Sequence, residues 1–411
     1  MESRRLAVIG GGAAGFFTAI NSKELNRNLE VTIFEATPRV LTKVKVSGGG
    51  RCNVTHNCFD PSKLVTNYPR GSKELRGPFS LFQPKDTIEW FRKRGIGIKA
   101  EDDGRMFPES NKSQTIIDCF LNECSRLGLK VLTKQLIEGV EWVESEKAFR
   151  VDKKGTDQAP DFFDCVMLAT GSAPFGYQLA KQLGHPIIEP NPSLFTFEID
   201  DDLFTEQPGT SFKQAELKLS VGKKKYTQKA PLLFTHWGLS GPAVLKLSAF
   251  AARDLFDADY QARLTINYIL KSEEQAYNEL LDWKQANERT KMSGAPPFGL
   301  QKRFWSSIMT RSNISDQIWA GLSNKSIRRI SESLTRYQCQ VCGKGTFKEE
   351  FVSCGGVGLK SVNFKTMESK IRSGLFFAGE VLDIDGITGG FNFQNAWTTA
   401  WIASHSIAQF R

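Results

Sequence analysis

LAVIGGGAAGFFTAI, residues 6–20, decides the fold. Leu6 to Ile9 read as a short buried strand, Gly10, Gly12 and Gly15 satisfy G-x-G-x-x-G, and Ala13 opens a helix. A second apolar run, residues 31–34, ends at Glu35, twenty residues beyond Gly15. Strand, glycine turn, helix and strand with an acidic end form the βαβ unit that holds a dinucleotide. The glycines bring the backbone to a pyrophosphate at a helix N-terminus, where free N–H groups and the helix dipole favour anions. Glu35 is expected to accept hydrogen bonds from ribose hydroxyls.

Working outward, helical periodicity is expected over 86–94 and 112–127, and KVLTKQLIEGVEWVES with AFRVDKK reads as a β-meander. Residues 164–168 form another buried strand, closing on Ala169, Thr170 and Gly171. After the Pro-rich joint HPIIEPNPS the pattern turns to β-type segments, then to helical periodicity between Ser272 and about Arg336. FKEEFVSCGGVGL returns to strand and turn, and GLFFAGEVLDIDGITGGFNFQNAW gives strand, loop and closing helix. The expected division is 1–190 with 353–411 as a nucleotide domain, 191–270 with 337–352 as an inserted β domain, and 271–336 as a helical insertion. There are no internal repeats.

The 411 residues carry a formal charge of +9, with 40% hydrophobic and 24% charged residues, which fits a globular chain and excludes global disorder. The basic residues are spread along the chain, and Lys223, Lys224 and Lys225 read as a solvated hairpin edge. A nucleic-acid partner is therefore not expected. No apolar run approaches membrane-spanning length and the first residues lack a signal-peptide core, so a cytoplasmic location is expected. Eight irregularly spaced cysteines suit reduced thiols; Cys339, Cys342 and Cys354 lack a fourth ligand at zinc-ribbon spacing, and no metal is expected.

The first glycine motif does not tell FAD from NAD. A second glycine-rich turn feeding a helix, AGEVLDIDGITGGFN, supplies backbone N–H groups far from the first, as the flavin end of an extended FAD requires. Glu380 and Asp385 are candidates for ribityl hydroxyls, turn chemistry being the alternative for Asp385. No second G-x-G-x-x-G exists for a stably held nicotinamide nucleotide, so NAD(P)H is expected only as a transient donor.

SGGGRCNVT, THWGLSGPAVLKLS, TMESKI and GLFFAGEVLDIDGITGGFNFQNAW together resemble the BaiN-like, YhiN-type family of FAD-binding flavoproteins, also described as NAD(P)/FAD-dependent or aminoacetone-oxidase-family enzymes. The resemblance spans nearly the whole chain. It implies a glutathione-reductase-like, Rossmann-type α/β domain built from both termini, with an inserted β-barrel-like domain and a helical domain. It also implies that the SGGGRCN loop lies along the cofactor, with Gly48, Gly49 and Gly50 close to the ribityl and flavin region, Arg51 and Asn53 making polar contacts, and Lys43 preceding the loop. The cofactor set so implied runs through Gly10, Gly12, Ala13, Ala14 and Gly15; Glu35 and Ala36; Lys43; Gly49, Gly50, Arg51, Cys52 and Asn53. It continues with Ile137; Ala169, Thr170 and Gly171; Gly379, Glu380 and Asp385; and Gly389, Gly390, Phe391 and Asn392. The chain departs from the family pattern at Lys45, Ser172, Cys354 and Asn395.

The implied activity is FAD-dependent hydride transfer to or from a small organic substrate entering between the nucleotide and inserted domains. Reduction of a conjugated carbon–carbon bond and oxidation of an amine both stay open, and an RNA-associated flavoprotein, similar in outline to tRNA-modifying flavin enzymes, is the alternative. No catalytic base is fixed. His236, Arg51 and His56 are candidates, each also readable as structural, while His185 and His405 read as structural. Cys52 and Cys58 are separated by five residues, where flavin disulfide reductases use C-x4-C, so a redox disulfide is not expected.

Overall fold

The computed structural model describes residues 4–155, 159–345 and 352–410. It divides into two compact units, Met1–Pro190 with Val352–Arg411, and Asn191–Phe351.

In the first unit a seven-stranded sheet runs in the order Val362–Asn363, Glu368–Ser369, Leu375–Phe377, Cys165–Leu168, Arg5–Ile9, Glu30–Phe34, Lys130–Leu132. The last five are mutually parallel, so strands from both ends of the chain share one sheet. Arg5–Ile9 lies between two parallel neighbours, and Leu6, Ala7, Val8 and Ile9 are all buried, which explains its unbroken apolar run. The helices Ala13–Leu25 and Phe391–Gln409 pack together beside the sheet, and Phe17 meets Trp397 at 5.3 Å between ring centroids.

The meander is shifted from its expected place. Lys130–Leu132 pairs in parallel with Thr32–Phe34 at the sheet edge, and the antiparallel meander is Ile137–Val143, Ala148–Lys153 and Asp161–Phe163. Lys130–Leu132 is short and its outer residues are exposed, so its pattern carries no sign of the sheet it joins. The Pro-rich joint is itself a strand, Ile187–Ser193, paired with Val352–Val357. The part of FKEEFVSCGGVGL before Val352 lies outside the described residues.

His185 sits in the first unit between two serine hydroxyls, Nδ1 at 3.0 Å from Ser361 Oγ and Nε2 at 2.9 Å from Ser369 Oγ, and is 2% exposed. Burial lowers its pKa from 6.5 to about 4, so the folded state holds it neutral. The unfolded chain binds the extra proton between those values. The resulting stability is complete above pH 6.5 and is lost as pH falls towards 4, by about 3 kcal/mol at the end of the window. Urea unfolding of wild type and His185→Gln is expected to show a stability difference that shrinks through this window; a constant difference refutes the assignment.

The second unit carries a seven-stranded antiparallel sheet in the order Tyr337–Val341, Ala262–Asn267, Ser211–Val221, Lys224–Thr235, Gly238–Ser240, Phe197–Glu198, Gly343–Lys344. Its first and last strands are consecutive in sequence, joined by Cys342 alone. A flat sheet would separate those edges by about 29 Å, six spacings of roughly 4.8 Å, so the sheet must curl to bring them together. The expected barrel-like character is physical.

Pro242–Asp257, a helix that sequence reading leaves unassigned, packs on this sheet, starting at a proline after Gly241 (φ +93°). The helices Glu273–Ala286, Lys302–Arg311 and Asn324–Thr335 occupy the expected helical segment. Leu280, Trp305, Ile308, Ile330 and Leu334 share one apolar cluster with Leu217, Leu219, Phe234 and Ile266 of the sheet. The helical segment is thus part of the β unit's core, where a separate insertion was expected.

Candidate cofactor site

The glycines of the first turn do different work. Gly10 has φ +114°, and a Cβ there would lie 2.3 Å from the Ala169 carbonyl oxygen. A Cβ on Gly15 would lie 2.0 Å from the Gly10 oxygen. Both are required for the strand ends and helix to close up. Gly12 is free of that demand: its Cβ would meet nothing within 4 Å. It is the N-cap of Ala13–Leu25, which has no side-chain cap and no acidic residue in its first turn. Open space in front of uncapped amides is a cradle for an anion.

Glu35 is oriented by main-chain amides. Its Oε2 accepts from Gly11 N at 2.9 Å and its Oε1 from Thr37 N at 2.8 Å, with Ala36 between. Leu41 N donates to Gly11 O at 2.8 Å and fixes the following segment to the same turn. Nearby, Lys43 Nζ lies 2.5 Å from Glu380 Oε2 and 3.2 Å from Ser172 Oγ. Gly379 (φ +75°) packs so closely on the first helix that a Cβ would be 3.1 Å from Ala14 Cβ. Gly10, Ala14, Lys43, Ala169, Gly171, Gly379 and Glu380 therefore gather at the carboxyl ends of the parallel strands, the usual place for ligands in open α/β sheets. Thr170 Oγ1 is buried there without a hydrogen-bond partner. Ile137 is buried on the first meander strand.

The SGGGRCN loop is a helix that breaks. Thr42–Gly50 is interrupted at Ser47 (ψ 148°), Gly48 and Gly49, and Gly50 continues the positive φ values. Gly49 and Gly50 face open space, whereas a Cβ on Gly48 would lie 2.8 Å from the Phe107 ring. Asn53 Oδ1 accepts from Met106 N at 3.2 Å. Gly390 (φ +91°), N-cap of the closing helix, fits against this loop, since its Cβ would lie 2.9 Å from Asn53 Oδ1 and 2.5 Å from Thr55 O. The first loop and the last glycine turn thus form one surface. The closing helix also starts without a side-chain cap.

Several expected contact residues have other occupations. Arg51 lies 2.5 Å from Glu101 Oε1 and stacks its guanidinium 3.9 Å from the Phe107 ring centre, which ties it into the protein. Asp385 is fully buried and accepts from Arg70 through both oxygens, so its carboxylate is a structural anchor where ribityl binding was expected. Asn392 closes the DGITGG turn, accepting from Gly386 N at 2.8 Å and donating to Gly386 O at 2.9 Å. Cys52 is fully buried, and that burial pushes its thiol up to about 12 against an opposing Ser47 hydrogen bond. No thiolate forms there at neutral pH. Cys58 is likewise a free cysteine.

His56 stacks on Phe391 at 4.6 Å and 20°, and its ring fills the space over Gly104. His236 lies in the second unit, exposed in the turn between Lys224–Thr235 and Gly238–Ser240. His405 Nδ1 lies 2.9 Å from Trp401 O. Sequence reading misses Arg70 and also Tyr177, whose buried hydroxyl has no hydrogen-bond partner and whose pKa is raised by burial and, less strongly, by Glu380 and Asp383. Nothing local in the sequence marks either residue.

Two open glycine cradles, two uncapped helix N-termini and an unpartnered Thr170 hydroxyl fit an extended dinucleotide with an anionic bridge. Over 415 aligned residues the chain is 30% identical to the ribosomal RNA dihydrouridine synthase of Haemophilus influenzae, covering 98% of each chain. It is 25% identical to the 3-dehydro-bile acid delta(4,6)-reductase of Clostridium scindens, covering 98% of this chain and 99% of that one. The fold is similar to a 3-ketosteroid delta1-dehydrogenase structure from Sterolibacterium denitrificans, with TM-score 0.53, 11% identity and all of both chains covered. Among the described residues no helix is long and apolar enough to cross a membrane. The HI0933-like protein Rossmann domain model matches residues 4–406, and the chain belongs to that family of FAD-dependent oxidoreductases.

Proposed function

We propose that the protein uses bound FAD to reduce a carbon–carbon double bond conjugated to a carbonyl. The observation that carries this reading is the chemistry shared by the two full-length relatives named above. A dihydrouridine synthase saturates the C5–C6 bond of uracil, which is conjugated to the C4 carbonyl, and a delta(4,6)-reductase acts on the same type of bond in a steroid. FAD, when bound, supplies the hydride. The protein's part is placement: Gly12, Ala13 and Ala14 offer amides to the pyrophosphate, Gly49 and Gly50 allow close backbone approach, and the Lys43–Glu380 pair stands ready for hydroxyls. NAD(P)H fits as a visiting donor.

Within that class we take a small enone as the first substrate reading. The uracil of an RNA is the second, favoured by the Haemophilus relative's name. Anaerobic mixing of the reduced holoenzyme with a steroid enone, free uridine and unmodified ribosomal RNA tests both. Reoxidation of the flavin with matching saturation of the double bond is expected for one of them. Reoxidation by none of the three, with flavin reduction by a simple amine instead, overturns the proposal.

A further inference from the structure

We infer that the outer face of the curled sheet in the second unit binds the phosphate backbone of RNA. The inference rests on the RNA reading above.

Along Ser211–Val221, Lys224–Thr235 and Ala262–Asn267 alternate residues point to opposite sides of the sheet. Leu217, Leu219, Leu232, Phe234, Leu264 and Ile266 are all buried, so their neighbours face outward. The register places Lys225 and Arg263 on either side of Ser220, Thr227 and Thr265 on either side of Lys218, and Lys229 opposite Glu216. Four cations and one carboxylate therefore share a patch with hydroxyl and amide side chains. Spacings are about 4.8 Å across the strands and about 6.7 Å along them. Glu216 is occupied by Lys218, at 3.0 Å. Lys225, Lys229 and Arg263 have no ion-pair partner among the described residues.

Adjacent charges behave differently. Lys224 points to the other side and pairs with Asp254 at 2.7 Å. Glu216, Lys218 and Thr265 of the patch also line a cleft of about 260 Å³, in which Lys271 is paired with Glu279 and Arg336 with Glu332. Charge is matched around the cleft, Lys218 and Glu216 included, and unmatched at Lys225, Lys229 and Arg263 farther along the face. The triplet at 223–225 is therefore not simply a solvated edge: alternation sends Lys225 to a patch whose other members lie on different strands.

The occupant follows from the chemistry of the patch. These three rows hold no aromatic or aliphatic side chain, so they offer neither a hot-spot anchor for a protein nor an apolar wedge for a bilayer. They also lack stacking surfaces for bases. A polyanion held through its phosphates, without sequence preference, fits.

The test uses the FAD-loaded full chain, fluorescein-labelled oligouridylate, and a variant carrying Lys225→Ala, Lys229→Ala and Arg263→Ala. Loss of three single-strand phosphate contacts is expected to flatten the plot of log K against log salt by about 2 and to weaken binding at low salt at least about tenfold. Flavin reoxidation by a small enone and the thermal transition are expected to match wild type. Wild-type RNA binding with an unchanged slope in the variant overturns the face and leaves the RNA reading standing. Absence of salt-dependent RNA binding by wild type overturns both, whereas a variant whose loss is confined to vesicles of anionic phospholipid overturns the face alone.

Discussion

Gly12→Ala is expected to yield folded, colourless protein. Gly12 has φ −96° and ψ −168°, an extended conformation that alanine also adopts, and its added Cβ would meet no protein atom within 4 Å. The apoprotein should keep its thermal transition. In the proposed binding mode the same methyl group would stand between the pyrophosphate and the amides of Ala13 and Ala14. Loss of two charge-assisted hydrogen bonds costs about 3 kcal/mol, or about a hundredfold in FAD affinity. Titration of apoprotein with FAD, followed by fluorescence quenching, measures this. Wild-type affinity in the variant would remove the pyrophosphate from this helix N-terminus.

Gly10→Ala and Gly15→Ala form the contrast. Both put a Cβ within 2.3 Å of a carbonyl oxygen, and Gly10 adds a positive φ. These variants should lose the fold together with the cofactor. Three glycines that look equivalent in the motif thus differ in the structure: two permit packing, and the third faces open space where the proposed ligand would lie.

What could be read in advance follows the range of the interactions. The strand, turn and helix at residues 6–20 are local features, and they stand as expected, with Glu35 directly after the second strand. The second glycine turn is also local, as are the helices between Ser272 and Arg336. Long-range pairings were hidden. Lys130–Leu132 gains its identity as a strand only from Thr32–Phe34. Asp385 looked like a ligand because nothing near it marks Arg70, 315 residues away, as its partner. Arg51 looked available because Glu101 and Phe107 come to it from another segment. The basic face was spread over three strands, so the linear sequence displayed only Lys223 to Lys225.

Arg70→Ala is expected to destabilise the apoprotein by about 3–5 kcal/mol, because it leaves a fully buried carboxylate without its guanidinium. The pair does not act alone. Arg70 and Asp385 also form a backbone bridge, Ile387 N donates to Asn67 O at 2.9 Å, and Tyr68 OH donates to Phe391 O at 2.6 Å. Gly71 (φ +81°) lies so close to Ile384 that a Cβ would meet its side chain at 2.6 Å. Residues 67–71 therefore clamp the segment leading into the last glycine turn, and the ion pair is the charged centre of that clamp. Asp385→Leu should cost a similar amount by stranding the guanidinium. The double variant Arg70→Leu with Asp385→Leu should lose less than the sum of the singles, since it leaves neither charge buried alone. Urea unfolding followed by far-UV circular dichroism gives all the terms of the cycle. A single-variant loss below about 1 kcal/mol, the range of an exposed pair, would show that water reaches Asp385 and that the clamp is held by its backbone contacts instead.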